Sequence, residues 1–258
     1  MAELSKVAAS AAQAVADIPD GASIAVGGFG LSGIPTTLIE AVLASNAAGF
    51  TVVSNNCGLD DAGIGVWLAA GKINRIIASY VGENHTLERM YLNGELHVEL
   101  TPQGTLAEKL RAGGSGIPAF FTPAGVGTLV AEGGLPWRYS ADGSVAQASP
   151  AKETRTYNGK DYVLEESITT DFALVHARTA DTLGNCVFHA AARNFNVPAA
   201  MAGRVTVVEA EEVVPAGSLD PDCVHLPGIF VSRVVALTPS QAADKRIERL
   251  TVRQRQEG

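Results

Sequence analysis

The chain has 258 residues, 47% of them apolar, with a formal net charge of −8 and three cysteines. That apolar content over that length supports a full hydrophobic core, as one large α/β domain or two small ones. The acidic balance argues against a nucleic-acid partner, which selects for a basic face, and weighs lightly against anionic membrane surfaces.

In chain order, the stretch near 4–16 has scattered charges among alanines and reads as an amphipathic helix, not a signal peptide. Asp20-Gly21 is a turn, Ser23–Val26 a short buried strand, and Gly27–Gly33 a glycine loop. Pro35 opens a helix near 35–46, where its missing N–H goes unused. Strands are predicted at Thr51–Val53, Arg75–Ser79 and His97–Leu100, with helices near 61–70, 85–93 and 104–112. No charged residue lies between Arg111 and Glu132, but glycines and prolines such as Gly116, Pro118, Pro123 and Gly125 interrupt it. A membrane-spanning helix is therefore excluded, and the segment reads as buried and irregular. Residues 133–170 change character. Asn158-Gly159, between Thr154–Tyr157 and Asp161–Leu164, is a hairpin turn pair, and Asp142-Gly143 is another tight turn. Strands resume at Asp171–Ala177, Asn185–Phe188, Val205–Val208 and Ile229–Ala236.

This alternation predicts an α/β fold: a mostly parallel sheet with helices on both faces and an antiparallel hairpin insertion at about 133–170. One domain over 1–258 is expected. Ligands in such sheets bind beyond the carboxyl ends of the strands. Gly27–Gly33, Ser54–Asn56, Tyr80 and Thr101–Gln103 each follow a predicted strand, so four strand ends converge on one crevice.

The glycine loop runs from a strand into a helix. Free backbone N–H groups and the positive end of the helix dipole there suit a phosphate, a carboxylate or a developing oxyanion. Gly28-x-Gly30-x-x-Gly33 also satisfies the dinucleotide fingerprint, whose acidic companion lies about 20 residues on, at the end of the next strand. Here that strand ends in Ser54-Asn55-Asn56, with Asp60 and Asp61 beyond it. A nicotinamide-dependent oxidoreductase therefore stays as the runner-up. The amides of Asn55 and Asn56 can hold a carboxylate or thioester carbonyl without adding charge. No metal site is expected, because His85, His97, His176, His189 and His225 share no ligand spacing. Cys57, Cys186 and Cys223 form no CxxC pair, which reads as a reducing cytoplasm. Cys57 follows two asparagines but has no base near it in sequence, so packing is its expected role.

The longer pattern from Asp20-Gly through Gly27-Gly-Phe-Gly-Leu-Ser-Gly33 to Pro35 resembles the first signature of the family I coenzyme A transferases. The resemblance continues through Ser54-Asn-Asn56, Ser79-Tyr-Val-Gly-Glu-Asn84, Glu99–Glu108, Gly116–Pro123, Ala192-Arg-Asn-Phe-Asn196 and Lys245–Leu250. Together these look like the α subunits of that family. The resemblance implies a CoA-transferase/ribose-phosphate-isomerase-like fold. It implies no tightly bound cofactor, with a coenzyme A thioester and carboxylic acids as substrates.

By the same resemblance, Gly27, Gly28, Phe29, Gly30, Leu31, Ser32 and Gly33 form a CoA or oxyanion loop, and Asn55, Asn56, Tyr80 and Gln103 contact substrate. It implies a partner, the CoA-transferase β subunit, in a heterodimer or heterotetramer. The nucleophilic glutamate of the family lies in a Ser-Glu-Asn-Gly motif on that β subunit, so no catalytic nucleophile is expected in this chain. Gly82-Glu83-Asn84 is its nearest imitation here. Several segments look like the members that move CoA from succinyl-CoA to a 3-oxo acid such as acetoacetate. Transferases for 3-oxoadipate or acetate would use nearly the same residues. One departure stands out: His189-Ala190-Ala191 replaces residues that are commonly basic in the family. A non-catalytic ligand-binding relative of the sugar-phosphate isomerases is the third reading.

Overall fold

Ile24, Ala25 and Val26 are all buried, as are Val52 and Val53. Strands that are apolar on consecutive residues belong to a parallel sheet covered on both faces. The computed structural model describes residues 5–245 and contains that sheet.

In chain order the elements begin with α1 (Ala11–Ala14), β1 (Ser23–Val26), α2 (Thr36–Ala44), β2 (Phe50–Val53) and α3 (Gly65–Ala69). Next come β3 (Ile73–Ala78), α4 (His85–Leu92), β4 (His97–Leu100) and α5 (Gln103–Gly114). The middle of the chain holds β5 (Ala119–Thr122), α6 (Leu129–Glu132), β6 (Pro136–Tyr139), β7 (Val145–Ala148), β8 (Thr154–Tyr157) and β9 (Lys160–Glu166). The last part contains β10 (Thr170–Asp181), β11 (Cys186–Val187), α7 (Asn196–Ala202), β12 (Gly203–Val214), β13 (Arg233–Ala236) and α8 (Pro239–Ala243).

Seven parallel strands lie in the order β13-β12-β10-β1-β2-β3-β4, with β11 antiparallel on β10. The chain walks outward from β1 to β4, then returns to the other side of β1 at β10. The order of strands therefore reverses between β1 and β10, and a crevice opens at such a switch point. Side chains alternate between two cores. Ile24 and Val26 pack with Leu38, Ile39 and Val42 of α2 and with Trp67 of α3. Ala25 and Val53 pack with Leu106 and Leu110 of α5 and with Ala199 and Ala200 of α7.

Between β4 and β10 the chain is antiparallel, as expected, but this region begins earlier than 133. β5 pairs with β9, which pairs with β8, and β6 pairs with β7. Asn158-Gly159 makes the two-residue β8–β9 turn, with φ of 51° and 73°. The uncharged stretch between Arg111 and Glu132 is not a buried irregular segment. It supplies β5 and α6, and within it only Ala112 and Ala131 are buried. Its glycines end α5 and turn the chain without a core around it.

The predicted helix near 4–16 shrinks to α1, capped by the Ser10 hydroxyl on Gln13 N–H. Lys6 and Ala8 instead donate backbone N–H groups to Thr182 and Val234, and Val7 bridges Val234 in parallel. A sheet edge offers a full set of partners that a short helix in water does not. Residue 4 of that stretch, and all but Lys245 of the Lys245–Leu250 motif, lie outside the described residues. Pro35 sits one place before the first helical residue of α2 and its carbonyl accepts from Ile39 N–H. Among the described residues, no helix is long and apolar enough to cross a membrane.

Candidate active site

β1 ends where Gly27 N–H donates to Leu174 O of β10 at 3.0 Å. The chain then doubles back: Phe29 and Ser32 exchange N–H···O bonds, both 3.0 Å. Gly28, Gly30 and Gly33 have φ of 108°, 61° and 65°, a backbone region that only glycine enters freely. Two of the loop's N–H groups are thus engaged in its own turn. Among the described residues, the N–H groups of Gly28, Gly30, Leu31 and Gly33 have no hydrogen-bond partner.

The glycines differ in their surroundings. A Cβ on Gly27 would overlap Asn196 Oδ1, and one on Gly33 would lie 2.7 Å from Ala192 O. A Cβ on Gly30 meets nothing nearer than Asn56 Nδ2 at 3.9 Å. Gly30 therefore reports on the loop without disturbing a packed neighbour.

The positive end of α2, expected behind the loop as an anion site, is already occupied. Glu209 of β12 accepts from Leu38 N–H at 2.9 Å and also from Thr37 N–H. A dinucleotide pyrophosphate needs that same helix end, and β2 closes on amides instead of the ribose-binding acid. Both features oppose the nicotinamide reading. Glu209 is buried and bonds through Oε1 to His176 Nδ1 at 2.9 Å, while His176 Nε2 meets Glu211 Oε1 at 3.1 Å. Burial pushes the Glu209 carboxyl up. Burial also opposes charge on His176, but the two carboxylates outweigh it and lift the imidazole to about 9. The imidazole thus sits between Glu209 and Glu211, whose carboxylates favour its charged form.

The ends of β2, β3 and β4 meet at Asn55, which is buried. Its Oδ1 accepts from Gln103 Nε2 at 3.0 Å and from Ser79 Oγ at 2.9 Å. With Oδ1 engaged by two donors, Nδ2 is the group left to present to a ligand. Gln103 is the first residue of α5 and is exposed, and its Oε1 makes no bond among the described residues. Asn56 Oδ1 caps Gly58 N–H at 3.2 Å, leaving its Nδ2 toward Gly30. The structure thus joins Asn55 and Gln103 directly and sets Asn56 beside the loop. Tyr80 lies past β3, about half-exposed, and is not bonded into this group. Glu83 is exposed in a left-handed conformation. Cys57 is buried, and burial pushes its thiol up, the opposite of an activated nucleophile.

A second loop parallels the first. Leu59 and Ala62 exchange backbone bonds of 3.0 and 3.3 Å between Gly58 and Gly63. Asp60, at its tip, accepts from the N–H groups of His85 and Thr86 and so caps α4. The two loops border a cavity of about 260 Å³ lined by Leu31, Gly33, Ile34, Ala62 and Gly63, with His176 and Glu209 at its wall.

The sequence alone does not assign several functional neighbours. Ser79 orients Asn55; Asn194 and Asn196 grip the glycine loop; His176 and Glu209 anchor α2. A glutamate inside the apolar run Val205–Ala210 is the legible sign of one of them, since a buried carboxylate needs a partner. The two asparagines fall within the Ala192–Asn196 motif, but nothing in the sequence says what they touch.

A glycine loop, strand-end amides and a switch-point crevice thus lie together at the carboxyl end of an open α/β sheet. Residues 8–237 match the coenzyme A transferase family, and the chain belongs to it. It is 59% identical over 251 residues to the α subunit of a probable succinyl-CoA:3-ketoacid coenzyme A transferase of Mycobacterium tuberculosis, covering 97% of this chain and 100% of that protein. It is 51% identical to the human mitochondrial succinyl-CoA:3-ketoacid coenzyme A transferase 2, covering 98% of this chain but 48% of the human one. Among solved structures, glutaconate coenzyme A-transferase from Acidaminococcus fermentans has the same fold, with a TM-score of 0.74 at 21% identity over 93% of this chain and 78% of that one.

Proposed function

We propose that this chain is the α subunit of a succinyl-CoA:3-ketoacid CoA transferase, moving CoA from succinyl-CoA to a 3-oxo acid such as acetoacetate when joined to a β subunit. The observation that carries the reading is the Asn55–Ser79–Gln103 group beside a glycine loop with N–H groups to offer. The Mycobacterium tuberculosis relative, which this chain covers in full, supports the acyl pair. The human relative, about twice as long, leaves room for a second half within one chain.

In this reaction a glutamate of the β subunit attacks the thioester carbonyl. The C–S bond breaks, CoA leaves as a thiolate, and an acyl-glutamyl anhydride remains. The thiolate then attacks the glutamyl carbonyl, which releases the first acid and leaves a glutamyl-CoA thioester. The acceptor carboxylate runs the same steps in reverse and departs as its CoA thioester. Each step passes through a tetrahedral oxyanion. The N–H groups of the glycine loop stabilise that charge, at roughly 10²–10³ in rate per donor. Asn55 Nδ2, Asn56 Nδ2 and Gln103 hold the acid's carboxylate or the acyl carbonyl, and Tyr80 lines the approach.

This chain supplies no nucleophile of its own. Burial raises the thiols of Cys57 and Cys186, and Asp220 raises that of Cys223. The cysteines are free, which suits the cytoplasm, and a heterodimer or a pair of heterodimers completes the site.

The test is reconstitution. Alone, the chain shows no transfer; mixed with a β subunit carrying the glutamate, it regains it. Borohydride reduction after incubation with acyl-CoA modifies a glutamate of the partner and leaves this chain unmodified. Covalent capture on Cys57 or Glu83, or activity of the chain alone, overturns the reading.

A further inference from the structure

The glycine loop cannot present its N–H groups to a ligand unless its carbonyls are held facing the other way. In a trans peptide the C=O of one residue and the N–H of the next point in opposite directions. Fixing Ser32 O therefore fixes where Gly33 N–H points, and fixing Gly33 O does the same for Ile34 N–H. Within the turn Ser32 O already accepts from Phe29 N–H at 3.0 Å, but nothing in the turn holds Gly33 O, and at a glycine such a peptide rotates cheaply.

Both carbonyls are gripped from the segment after β11. Asn194 Nδ2 donates to Ser32 O at 3.1 Å and to Ala191 O at 2.9 Å. Asn196 Nδ2 donates to Gly33 O and to Ala192 O, both at 2.8 Å. The acceptor ends are used as well: Asn194 Oδ1 takes Phe195 N–H at 2.6 Å, and Asn196 Oδ1 takes His176 N–H at 3.1 Å. Asn196 is fully buried, and Gly27 has no side chain because Asn196 fills that space. The segment reaches this position through Ala190 at φ 44°, a left-handed conformation uncommon for a residue with a Cβ. Each asparagine thus uses both ends of its amide to tie one loop carbonyl to a rigid part of the fold.

We infer that Asn194 and Asn196 are positioning residues that pin the Ser32 and Gly33 carbonyls and so aim the N–H groups of Gly33 and Ile34 at the reacting carbonyl; this rests on the oxyanion role proposed above. The informative variant is Asn194→Asp. It keeps the shape of the side chain and the acceptor for Phe195 N–H, but sets a carboxylate oxygen against Ser32 O and Ala191 O. Asn194→Gln is the worse steric fit yet restores a donor.

In the assembled two-subunit enzyme, Asn194→Asp lowers kcat about 10- to 100-fold, a fraction of losing a donor outright. KM for both substrates and the thermal midpoint stay near wild type, and Asn194→Gln recovers part of the rate. Asn196→Asp gives the same kcat-selective loss if it folds. Gly30→Val, which has room but the wrong φ, serves as the control on the loop itself. If Gly30→Val abolishes turnover while Asn194→Asp keeps wild-type kcat, or while Gln is no better than Asp, the inference falls and the loop reading stands. If Gly30→Val leaves turnover unchanged, the loop reading falls and this inference with it.

Discussion

Gln103 is tied sideways to Asn55, at 3.0 Å, across the ends of β2 and β4. That bond orders the exposed amide for a ligand without burying it. Gln103→Ala is expected to raise the acceptor acid's KM, by a factor corresponding to about 1–3 kcal/mol for a lost contact to a charged group, with CoA affinity little changed. Steady-state kinetics with both substrates varied checks this, and unchanged constants for both remove Gln103 from the site. The meeting of Asn55 and Gln103 was legible because both follow strands predicted to lie in one parallel sheet. Glu209 was not legible as an α2 cap, because its partner Leu38 lies 171 residues away. The expectation that α2 would offer its own positive end to a ligand failed for that reason. His176 gives the same network a pH signature. Its folded value, about 9, lies above the ordinary 6.5. The stability it contributes is therefore complete below pH 6.5 and lost as pH rises through 9. Glu211, held near 2 against the desolvation that opposes it by His176 and Lys245, contributes above 4.5 and is lost only as pH falls through 2. Thermal melts should show an alkaline decline that His176→Gln flattens; equal declines in both proteins would remove His176 from the account.

At the scale of elements, the antiparallel insertion is joined to α5 by an ion triad around a buried carboxylate. Glu165 of β9, only 1% exposed, bonds Lys109 of α5 at 3.0 Å and Lys152 at 2.6 Å. Removing the shared carboxylate leaves Lys109 buried without its counter-charge. Glu165→Gln should cost about 3–5 kcal/mol, the range for breaking a buried pair, visible as a lower urea midpoint. The double variant Lys109→Met with Glu165→Leu should recover much of that loss. A Glu165→Gln midpoint equal to wild type would mean that the triad is solvated in solution. The β8–β9 hairpin was legible to the residue because Asn-Gly admits few turns. β10 and β12 were read as far shorter than their 12 residues each. Their carboxyl halves carry His176, Arg178, Glu209 and Glu211, which break the apolar run. In the sheet His176 stands opposite Glu209, so the polarity that hid the strands is satisfied by pairing between them. Chain-local pattern could not show that.

For the whole molecule, the alternation of strands and helices was enough to predict a parallel sheet with its ligand end at the strand carboxyl termini. The position of β10 beside β1 was not, because strand order is a property of the return path and leaves no mark in local sequence. That seam also sets an order of events in time. Ser23 of β1 hydrogen-bonds Asp171 across 148 residues, and Gly33 waits for Asn196 across 163. On a ribosome making roughly 5–20 residues each second, β1 to β4 emerge many seconds before β10 and α7 exist. The outer strands can pair in that interval, while the glycine loop stays unbraced. The loop acquires its shape only after about three quarters of the chain has been made. A partner that docks on the emerging sheet would meet an unfinished site. Translation of the last quarter of the chain is thus the step that makes this protein competent.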